Sequence, residues 1–326
     1  MTAQFLSNCS VDSLTQAAAQ LKAGFLVGFP TETVYGLGAD ASSEKSVARI
    51  YEVKGRPADH PLIVHIADMQ DMAMWASDIP TYAISLARDF WPGPMTLVLP
   101  RSEIAKDFIT GGQETVGLRV PAHSLALGLL NAFKKIGGLG IAAPSANRFG
   151  QVSPTTAAAV QEEIGQYLST DDLILDGGPA LVGVESTIID CTGESPQILR
   201  PGAITAEMIR DSTGLEIVDN LNSEIRVSGS LDNHYSPKAH VILDAMAEPG
   251  EGFIAVASIT TPAGAIRLAS PKSVEDYARV LYEALRFGDT QGVSRIAVIQ
   301  PSGDGLAVAI RDRLKRASRG RLFPNR

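Results

Sequence analysis

Short apolar runs that stop at glycine, proline or a polar residue recur along the first two hundred positions of the chain. Runs of four to eight such residues, bounded by turn residues, predict buried β-strands. The predicted strands are 25–30, 61–66, 95–100, 116–121 and 140–145, followed by three within DLILDGG, STIIDC and QILRPG.

Helices are predicted between these strands from apolar spacing and from the capping residues at their ends. Ser10 or Asp12 can cap a helix through LTQAAAQLK, which Gly24 would end. Ser42 or Ser43 can start a second helix through EKSVARIYEVK. Two further helices are predicted through TYAISLARDF and SLALGLLNAFKKIG.

The segment SPTTAAAVQEEIG predicts one more helix in this part of the chain. Ser153 is a good N-cap residue, and Pro154 suits the first helical position. Strands and helices thus interleave, but without strict βαβ order. We therefore predict an α/β sandwich built on a twisted mixed sheet.

The pattern changes after about residue 207. The next thirty residues have little apolar periodicity and many Ser, Asn and Gly, so they predict a linker. Strands and helices return in VILDA, GFIAVAS, AIRLAS, SVEDYARVLYEALRFG, SRIAVIQP and GLAVAIRDRLKRAS. We predict a first domain at 1–207, a linker at 208–238 and a small βαβ, Rossmann-like second domain at 239–326.

Composition narrows the class of protein. A chain of 326 residues with 45 % hydrophobic and 20 % charged residues is typical of two folded domains. Its net charge of −8 disfavours tight binding of tRNA over the whole surface. Two cysteines without a CxxC pair disfavour a disulfide framework or a structural zinc site. No apolar run is long enough to cross a membrane, and the start of the chain does not resemble a signal peptide, so we expect a cytoplasmic protein.

Common catalytic signatures are absent from the sequence: it contains no P-loop, no GxSxG and no HExxH motif. The candidates for chemistry are instead polar residues at strand ends, beginning with PTETVYGLGAD after the first predicted strand. In that segment Gly36 and Gly38 would let the backbone approach a ligand. An ordinary turn explains the same composition equally well.

Cations and hydroxyls supply the other candidates. Lys54 and Arg56 follow a predicted helix, where they either complement its dipole or clamp a phosphate. Arg119 lies inside an apolar strand and so needs an anionic partner, either a structural carboxylate or a substrate carboxylate. Ser145 and Asn147 fall in the turn-rich APSANRFGQVSPTT.

Taken together and in order, these segments resemble the YrdC-like family of threonylcarbamoyl-AMP synthases. The motifs that carry the resemblance are PTETVYGLGADA, KGRP with PLIVHI, WPGPMTLVL, ETVGLRVP, APSANRFGQVSPT, GVESTIID and LRPGAIT, over about residues 20–205. The linker and second domain resemble the long, two-domain form of the family, chiefly through HYSPKAH.

The resemblance implies a reaction in which L-threonine, bicarbonate and ATP give threonylcarbamoyl-AMP and pyrophosphate. A partner complex would then transfer the threonylcarbamoyl group to adenosine-37 of certain tRNAs. It also implies Mg²⁺ bridging phosphate oxygens with few protein ligands, and a linker that acts as a lid over a labile carbamate.

Site residues also follow from the resemblance. The residues expected to hold threonine are Thr33, His65, Arg119, Ala143 and Ser186. The residues expected to hold ATP are Arg56, His60, Thr115, Ser145, Ser153, Arg200 and Tyr235, the last from the linker. The expected catalytic cluster is Lys54, Arg56, Ser145 and Asn147, with no metal ligand among the side chains.

Other functions remain as alternatives at this point. A nucleic-acid-binding or nucleotide-binding regulatory protein without catalysis would use the same concave surface, and the basic tail RDRLKRASRGRLFPNR suits RNA contact. Carbamoyl transfer in hydrogenase maturation uses a similar domain, but two cysteines leave no room for the zinc segments of those proteins. We expect the synthase, with weak or no direct tRNA binding.

Overall fold

The protein is described by a computed structural model that covers residues 3–7, 10–218, 225–229 and 234–320. Its strands are β1 (Gln4–Leu6), β2 (Val27–Phe29), β3 (Gly36–Asp40), β4 (Ile63–His65), β5 (Met95–Pro100), β6 (Thr115–Arg119), β7 (Ile141–Ala142), β8 (Leu173–Leu175), β9 (Thr187–Asp190), β10 (Gln197–Arg200), β11 (His240–Leu243), β12 (Gly252–Ile254), β13 (Ile266–Ala269) and β14 (Arg295–Val298).

The helices alternate with these strands along most of the chain. They are α1 (Val11–Ala23), α2 (Glu44–Lys54), α3 (Met72–Trp75), α4 (Thr81–Phe90), α5 (Asp107–Thr110), α6 (Ser124–Lys135), α7 (Ala157–Ile164), α8 (Ala206–Thr213), α9 (Val274–Thr290) and α10 (Leu306–Ala317). None of the described helices is both long and apolar enough to span a bilayer.

Ten strands form one large mixed sheet, in the order β1-β8-β2-β3-β7-β4-β6-β5-β9-β10. The sheet combines parallel pairs, such as β4 with β6, and antiparallel pairs, such as β5 with β6. Apolar side chains cover both faces: α1 and α6 pack on one, while α2 and α4 lie among the larger cluster on the other. The predicted twisted mixed sheet is confirmed.

The second domain has a parallel four-stranded sheet in the order β11-β14-β12-β13, with α9 and α10 packed against it. This confirms the predicted small βαβ domain. One apolar cluster contains residues of both domains, among them Val34 and Val184 of the first and Leu281 and Ile310 of the second. The two domains therefore share part of a hydrophobic core.

Several local predictions were wrong. Ser153 does not cap α7: the helix begins at Ala157, and Thr156 accepts the capping hydrogen bond from Ala159 N. The boundary set at residue 207 falls inside α8, whose sequence carries its own cap in Thr205. Strands β1 and β3 were not predicted from their short or glycine-containing sequences.

Gly38 also has a different role from the one expected of it. It lies within β3, where a Cβ atom would stand 2.7 Å from Ile141 Cγ2 and 2.9 Å from the Phe29 ring. These contacts are too close for any side chain, so glycine is needed there for packing within the sheet rather than for a ligand. Gly36, in contrast, does line the cavity described below.

Candidate active site

A cavity of about 50 Å³ lies where the ends of β4 and β6 meet the loops before β3 and after β7. The segment before β9, the end of β10 and the linker complete its walls. The lining residues are Thr31, Thr33, Val34, Tyr35, Gly36, Arg56, Ile63, His65, Arg119, Ala143, Pro144, Ser145, Glu185, Ser186, Arg200, Ser228, Gly229, His234 and Tyr235.

Every residue expected to hold threonine lines this cavity. His65 and Arg119 are register partners on the neighbouring parallel strands β4 and β6, so the sheet itself fixes their spacing. Thr33 lies across from them, where its Oγ1 accepts a hydrogen bond of 2.9 Å from Arg119 Nη2. Ala143 and Ser186 supply the small side chains of the remaining wall.

Arg119 has a structural carboxylate partner. Its Nη2 donates to Glu32 Oε1 at 2.6 Å, and Glu32 Oε2 accepts from the backbone N–H of Ala122 at 2.9 Å. The sequence left open whether the anionic partner of Arg119 is a structural carboxylate or a substrate carboxylate. In the structure it is the structural carboxylate of Glu32, which balances the buried charge. Arg119 Nη1 makes no hydrogen bond with any described residue, so one donor group remains for a ligand.

His65 is a buried, neutral histidine. Burial, with a smaller contribution from Arg119, lowers its pKa from 6.5 to about 3. Its ring stands edge-on to Phe29 at 5.9 Å between ring centres. Nδ1 has no hydrogen-bond partner among the described residues, which leaves one polar atom for a substrate.

Two further arginines, Arg56 and Arg200, line the cavity. Arg56 Nη2 donates to the carbonyl of Pro61 at 2.9 Å and to Ser228 Oγ at 3.2 Å. Arg200 donates to the carbonyl of Ser186 through Nε and Nη2, and to the carbonyl of Ser228 through Nη1 at 2.7 Å. Burial lowers the pKa of Arg56 to about 10, so its guanidinium group stays charged at neutral pH; burial also lowers the pKa of Arg200.

Lys54 and Asn147 lie behind the wall rather than on it. Lys54 Nζ donates to the carbonyls of Ser145 and Asn147, each at 2.5 Å. The Asn147 side chain donates to the carbonyls of Arg148 and Gln151 at 2.7 and 2.9 Å. Burial holds the pKa of Lys54 well below its ordinary value. These two residues shape the loop that presents Ser145 to the cavity.

Three residues expected to hold ATP do not line the cavity. His60 is half-buried and stands edge-on to Phe149, with ring centres 5.3 Å apart. Thr115 lines a smaller adjoining pocket beneath the linker residue Val227. Ser153 is buried, and its Oγ donates to Glu185 Oε1 at 2.6 Å.

Some lining residues were not among the predicted site residues. Glu185 and His234 belong to the motifs GVESTIID and HYSPKAH. Each is next in sequence to a predicted site residue, and that position was the signal that could have identified them. His234 is buried, with a pKa lowered by burial to about 3, and its ring centre is 4.3 Å from that of Tyr235. For Ser228 and Gly229, in a stretch without periodicity, the sequence carried no such signal.

Comparison with known proteins matches both parts of the chain to family models. A family model described as "Telomere recombination", covering Sua5, YciO and YrdC proteins, matches residues 19–202. A second model, described as "Threonylcarbamoyl-AMP synthase, C-terminal domain", matches residues 204–319. The two matches together cover the large sheet apart from β1, the linker and the second domain.

Curated relatives resemble nearly the whole chain. The threonylcarbamoyl-AMP synthase of Pyrococcus abyssi is 40 % identical over 94 % of this chain and 94 % of its own. That of Bacillus subtilis is 39 % identical over 95 % and 94 %. The crystal structure of P. abyssi Sua5 complexed with L-threonine superposes with a TM-score of 0.87 at 38 % identity, covering 98 % of both chains. The chain therefore belongs to the threonylcarbamoyl-AMP synthase family.

Proposed function

We propose that the protein condenses L-threonine, bicarbonate and ATP into threonylcarbamoyl-AMP and pyrophosphate. The names of the curated relatives support this activity, and the P. abyssi structure is a complex with L-threonine. The observation that carries the proposal is one cavity lined by two groups of side chains. We assign Thr33, His65 and Arg119 to one end, for threonine, and Arg56 and Arg200 to the other, for ATP.

The first end suits an amino acid. Arg119 Nη1 would take the threonine carboxylate, while Nη2 stays bonded to Glu32 and Thr33. His65 is neutral and offers Nδ1 to the polar atoms of the substrate. Ala143 leaves room for a methyl group on the wall beside it.

The second end suits the phosphates of ATP. The threonine amine would attack the carbon of bicarbonate, or of the CO₂ derived from it, to form a carbamate; from bicarbonate, water is lost. A carbamate oxygen would then attack the α-phosphorus, and the bond to the β-phosphate would break, with its electron pair leaving on pyrophosphate. Arg56 and Arg200 would offset the negative charge that develops, and catalysis would rest on positioning and charge.

The described residues do not fit a protein-held Mg²⁺ ion. They contain no group of three or more His, Cys, Asp or Glu side chains placed to hold a metal. Glu185, the carboxylate on the cavity wall, already accepts hydrogen bonds on both oxygens. We therefore propose that any Mg²⁺ enters bound to the phosphates of ATP rather than through this chain's side chains.

The linker is proposed to act as a lid. Its Ser228 is bonded to both Arg56 and Arg200, and Tyr235 is buried in the cavity wall. The remaining space of about 50 Å³ holds a few water molecules and is far too small for a nucleotide. Residues 225–229 must therefore move away to admit ATP, and their return would shield the carbamate from water.

We further propose that the product passes to a separate complex that modifies adenosine-37 of tRNA, and that the protein works in the cytoplasm. Threonylcarbamoyl-AMP is a mixed anhydride, so it must be consumed by acyl transfer to a nucleophile. The net charge of −8 favours a diffusing product over a tightly bound tRNA. A regulatory RNA-binding role without catalysis has no comparable support from the cavity.

Product analysis tests this proposal directly. The purified protein is incubated with ATP, Mg²⁺, L-threonine and ¹³C-bicarbonate, quenched and analysed by mass spectrometry. The expected product is an adenylate that carries both threonine and the ¹³C atom. Formation of AMP or ADP alone, at all threonine concentrations, would contradict the proposal.

A further inference from the structure

Glu185 is the one carboxylate among the described residues that line the cavity, and it is 6 % exposed. Its Oε1 accepts a hydrogen bond from Ser153 Oγ at 2.6 Å. Its Oε2 accepts hydrogen bonds from Tyr282 Oη and Arg313 Nε, both at 2.8 Å. Burial favours the protonated acid, but Arg313 and Arg200 outweigh it and lower the pKa of Glu185 to about 2. The group is therefore an anion at neutral pH.

Two of these partners come from the second domain. Tyr282 belongs to α9 and Arg313 to α10, and the Arg313 side chain is fully buried. Arg313 Nη2 also donates to the carbonyl of Pro201 at 3.0 Å, just beyond β10. Its guanidinium carbon lies 5.3 Å from the centre of the Tyr235 ring, which in turn stacks on Tyr282. The second domain thus reaches the wall of the cavity.

The charge of Glu185 conflicts with the proposed nucleotide. An unpaired carboxylate beside a polyphosphate would repel it, and the repulsion is strong where water is excluded. It would also compete with the phosphates for Arg200, which lies close enough to lower the pKa of Glu185. Pairing Glu185 with Arg313 removes both effects and leaves Arg56 and Arg200 for the phosphates.

We propose that Arg313 is a positioning residue for ATP: it neutralises Glu185 and, with Tyr282, fixes the part of the wall that carries Glu185 and Tyr235. Arg313 acts through Glu185 and does not itself line the cavity. This inference rests on the proposed function and gives the second domain a defined part in it, namely preparing the nucleotide end. Arg119 and Glu32, which hold the proposed threonine end, make no hydrogen bond with Arg313 or Tyr282.

The test compares Arg313→Met with the intact protein in full-length form. Methionine keeps much of the apolar length of the side chain but leaves Glu185 without its cation. We expect the Kd for ATP from calorimetry, and the KM for ATP in pyrophosphate release, to rise about ten-fold or more. The Kd for L-threonine should change less than about two-fold. Equal changes for both ligands, or no change for ATP, would overturn the inference.

A second substitution separates charge from structure. If Arg313→Met weakens ATP binding because it leaves the Glu185 carboxylate unpaired, then adding Glu185→Gln should recover most of the lost ATP affinity. Arg313→Lys keeps the charge and should fall between Arg313→Met and the intact protein. Additive losses in the double variant would overturn the charge argument.

Glu163→Gln is the matched control. Glu163 on α7 pairs with Arg286 on α9 at 2.6 Å, so this change also removes an ion pair between the domains, but away from the cavity. It should leave the affinities for ATP and for threonine unchanged; an equal loss of ATP affinity would show that any weakening of the domain contact has the same effect.

If Arg313→Met does not fold, Tyr282→Phe, which removes only the Oη hydrogen bond to Glu185, should shift ATP affinity in the same direction by a smaller factor.

Turnover and calorimetry together distinguish a failure of the proposed function from a failure of the role assigned to Arg313. Absence of turnover in the intact protein would contradict the proposed function, while the calorimetric comparison would still decide whether Arg313 supports ATP binding. Turnover in the intact protein with an unchanged Kd for ATP in the variants would contradict the role of Arg313 alone.

Discussion

At the proposed threonine end of the cavity, His65 and Arg119 lie side by side on neighbouring strands of one sheet. At the nucleotide end, Arg56 and Arg200 meet over Ser228 of the linker, and Glu185 depends on Arg313 from the second domain. The first end is held by ladder hydrogen bonds within a single domain. The second is assembled from three separate parts of the chain.

This difference in construction indicates which end of the cavity can open and close without unfolding of the protein. Strand register fixes the amino-acid pocket, so its geometry is a property of the core. The nucleotide end is closed by side-chain contacts to a segment without regular structure, and such contacts are among the first to open. We therefore expect ATP entry to be gated, and substitutions at the two ends to separate into two kinetic classes.

The largest effect is expected at the threonine end, from Arg119→Ala. The change removes the proposed carboxylate donor, and kcat/KM for threonine should fall about a hundred-fold, since truncating a buried charged partner typically costs about 2–5 kcal/mol. The KM for ATP should change only slightly. Initial rates of pyrophosphate release at varied threonine and varied ATP check this.

Glu32→Gln is the control for that substitution. It weakens the same buried ion pair but leaves the guanidinium group in place. It should lower Tm as Arg119→Ala does, while raising the threonine requirement far less. If both variants raise the threonine requirement equally, Arg119 has a structural role only.

A smaller effect is expected at the nucleotide end, from Gly229→Ala. Gly229 has φ +81°, and a Cβ atom there would lie 2.1 Å from Tyr235 Oη and 3.2 Å from Arg200 Nη1. The linker would be held off the cavity. We expect kcat/KM for ATP to fall about ten-fold, as for the loss of a positioning contact, with threonine affinity preserved.

Gly214→Ala is the control that separates backbone strain from the contact with Tyr235 and Arg200. Gly214 ends α8 with φ +67°, and a Cβ atom added there would have no neighbouring atom within 4 Å among the described residues. It carries the same left-handed strain, about 1 kcal/mol, without touching the cavity. A comparable loss of ATP turnover in Gly214→Ala would contradict the proposed closure by residues 225–229.

The smallest effect concerns pH and involves one histidine at each end. His65 and His234 both have pKa values lowered to about 3 from 6.5, so the folded protein keeps them neutral. Their contribution is complete above pH 6.5 and is lost as pH falls below it toward 3. From pH 7.5 to 5.5 the free energy of unfolding should drop by about 1 kcal/mol for each histidine.

Urea unfolding at the two pH values measures this drop. The range lies above the titration of the carboxylates, including Glu185, whose lowered pKa acts only below about 4.5. His234→Gln should remove about 1 kcal/mol of the dependence; His65 supplies part of the rest, together with His60 and His123, whose pKa values burial also lowers. A dependence that is unchanged in this variant would contradict the buried neutral state of His234.

The fold was predictable wherever local patterns agreed with the final packing. MTLVLP forms β5 and TYAISLARDF forms α4 with the expected bounds, because apolar periodicity and flanking turn residues both indicated them. GLGAD is predicted as part of a loop or turn after the first strand, and its glycines also have low strand propensity. It forms β3 because close contact with Phe29 and Ile141 excludes larger side chains, which no local pattern shows.

The motifs made the residues of the site predictable, but not the buried side chains that pair with those residues. The sequence indicated Arg119 and Ser153, yet it gave no sign that Glu32 balances the first or that Glu185 binds the second. Glu185 and Arg313 are 128 positions apart and lie in different domains. Such pairings depend on tertiary packing, so neither spacing nor composition reveals them.

We propose that one cavity joins both substrates, so neither end should complete chemistry alone. The most direct measurement is pyrophosphate release from ATP with Mg²⁺ and bicarbonate, with and without L-threonine, and with L-serine or L-alanine at equal concentration. We expect release that requires threonine and is much weaker with serine or alanine. Release at the same rate without any amino acid would contradict it.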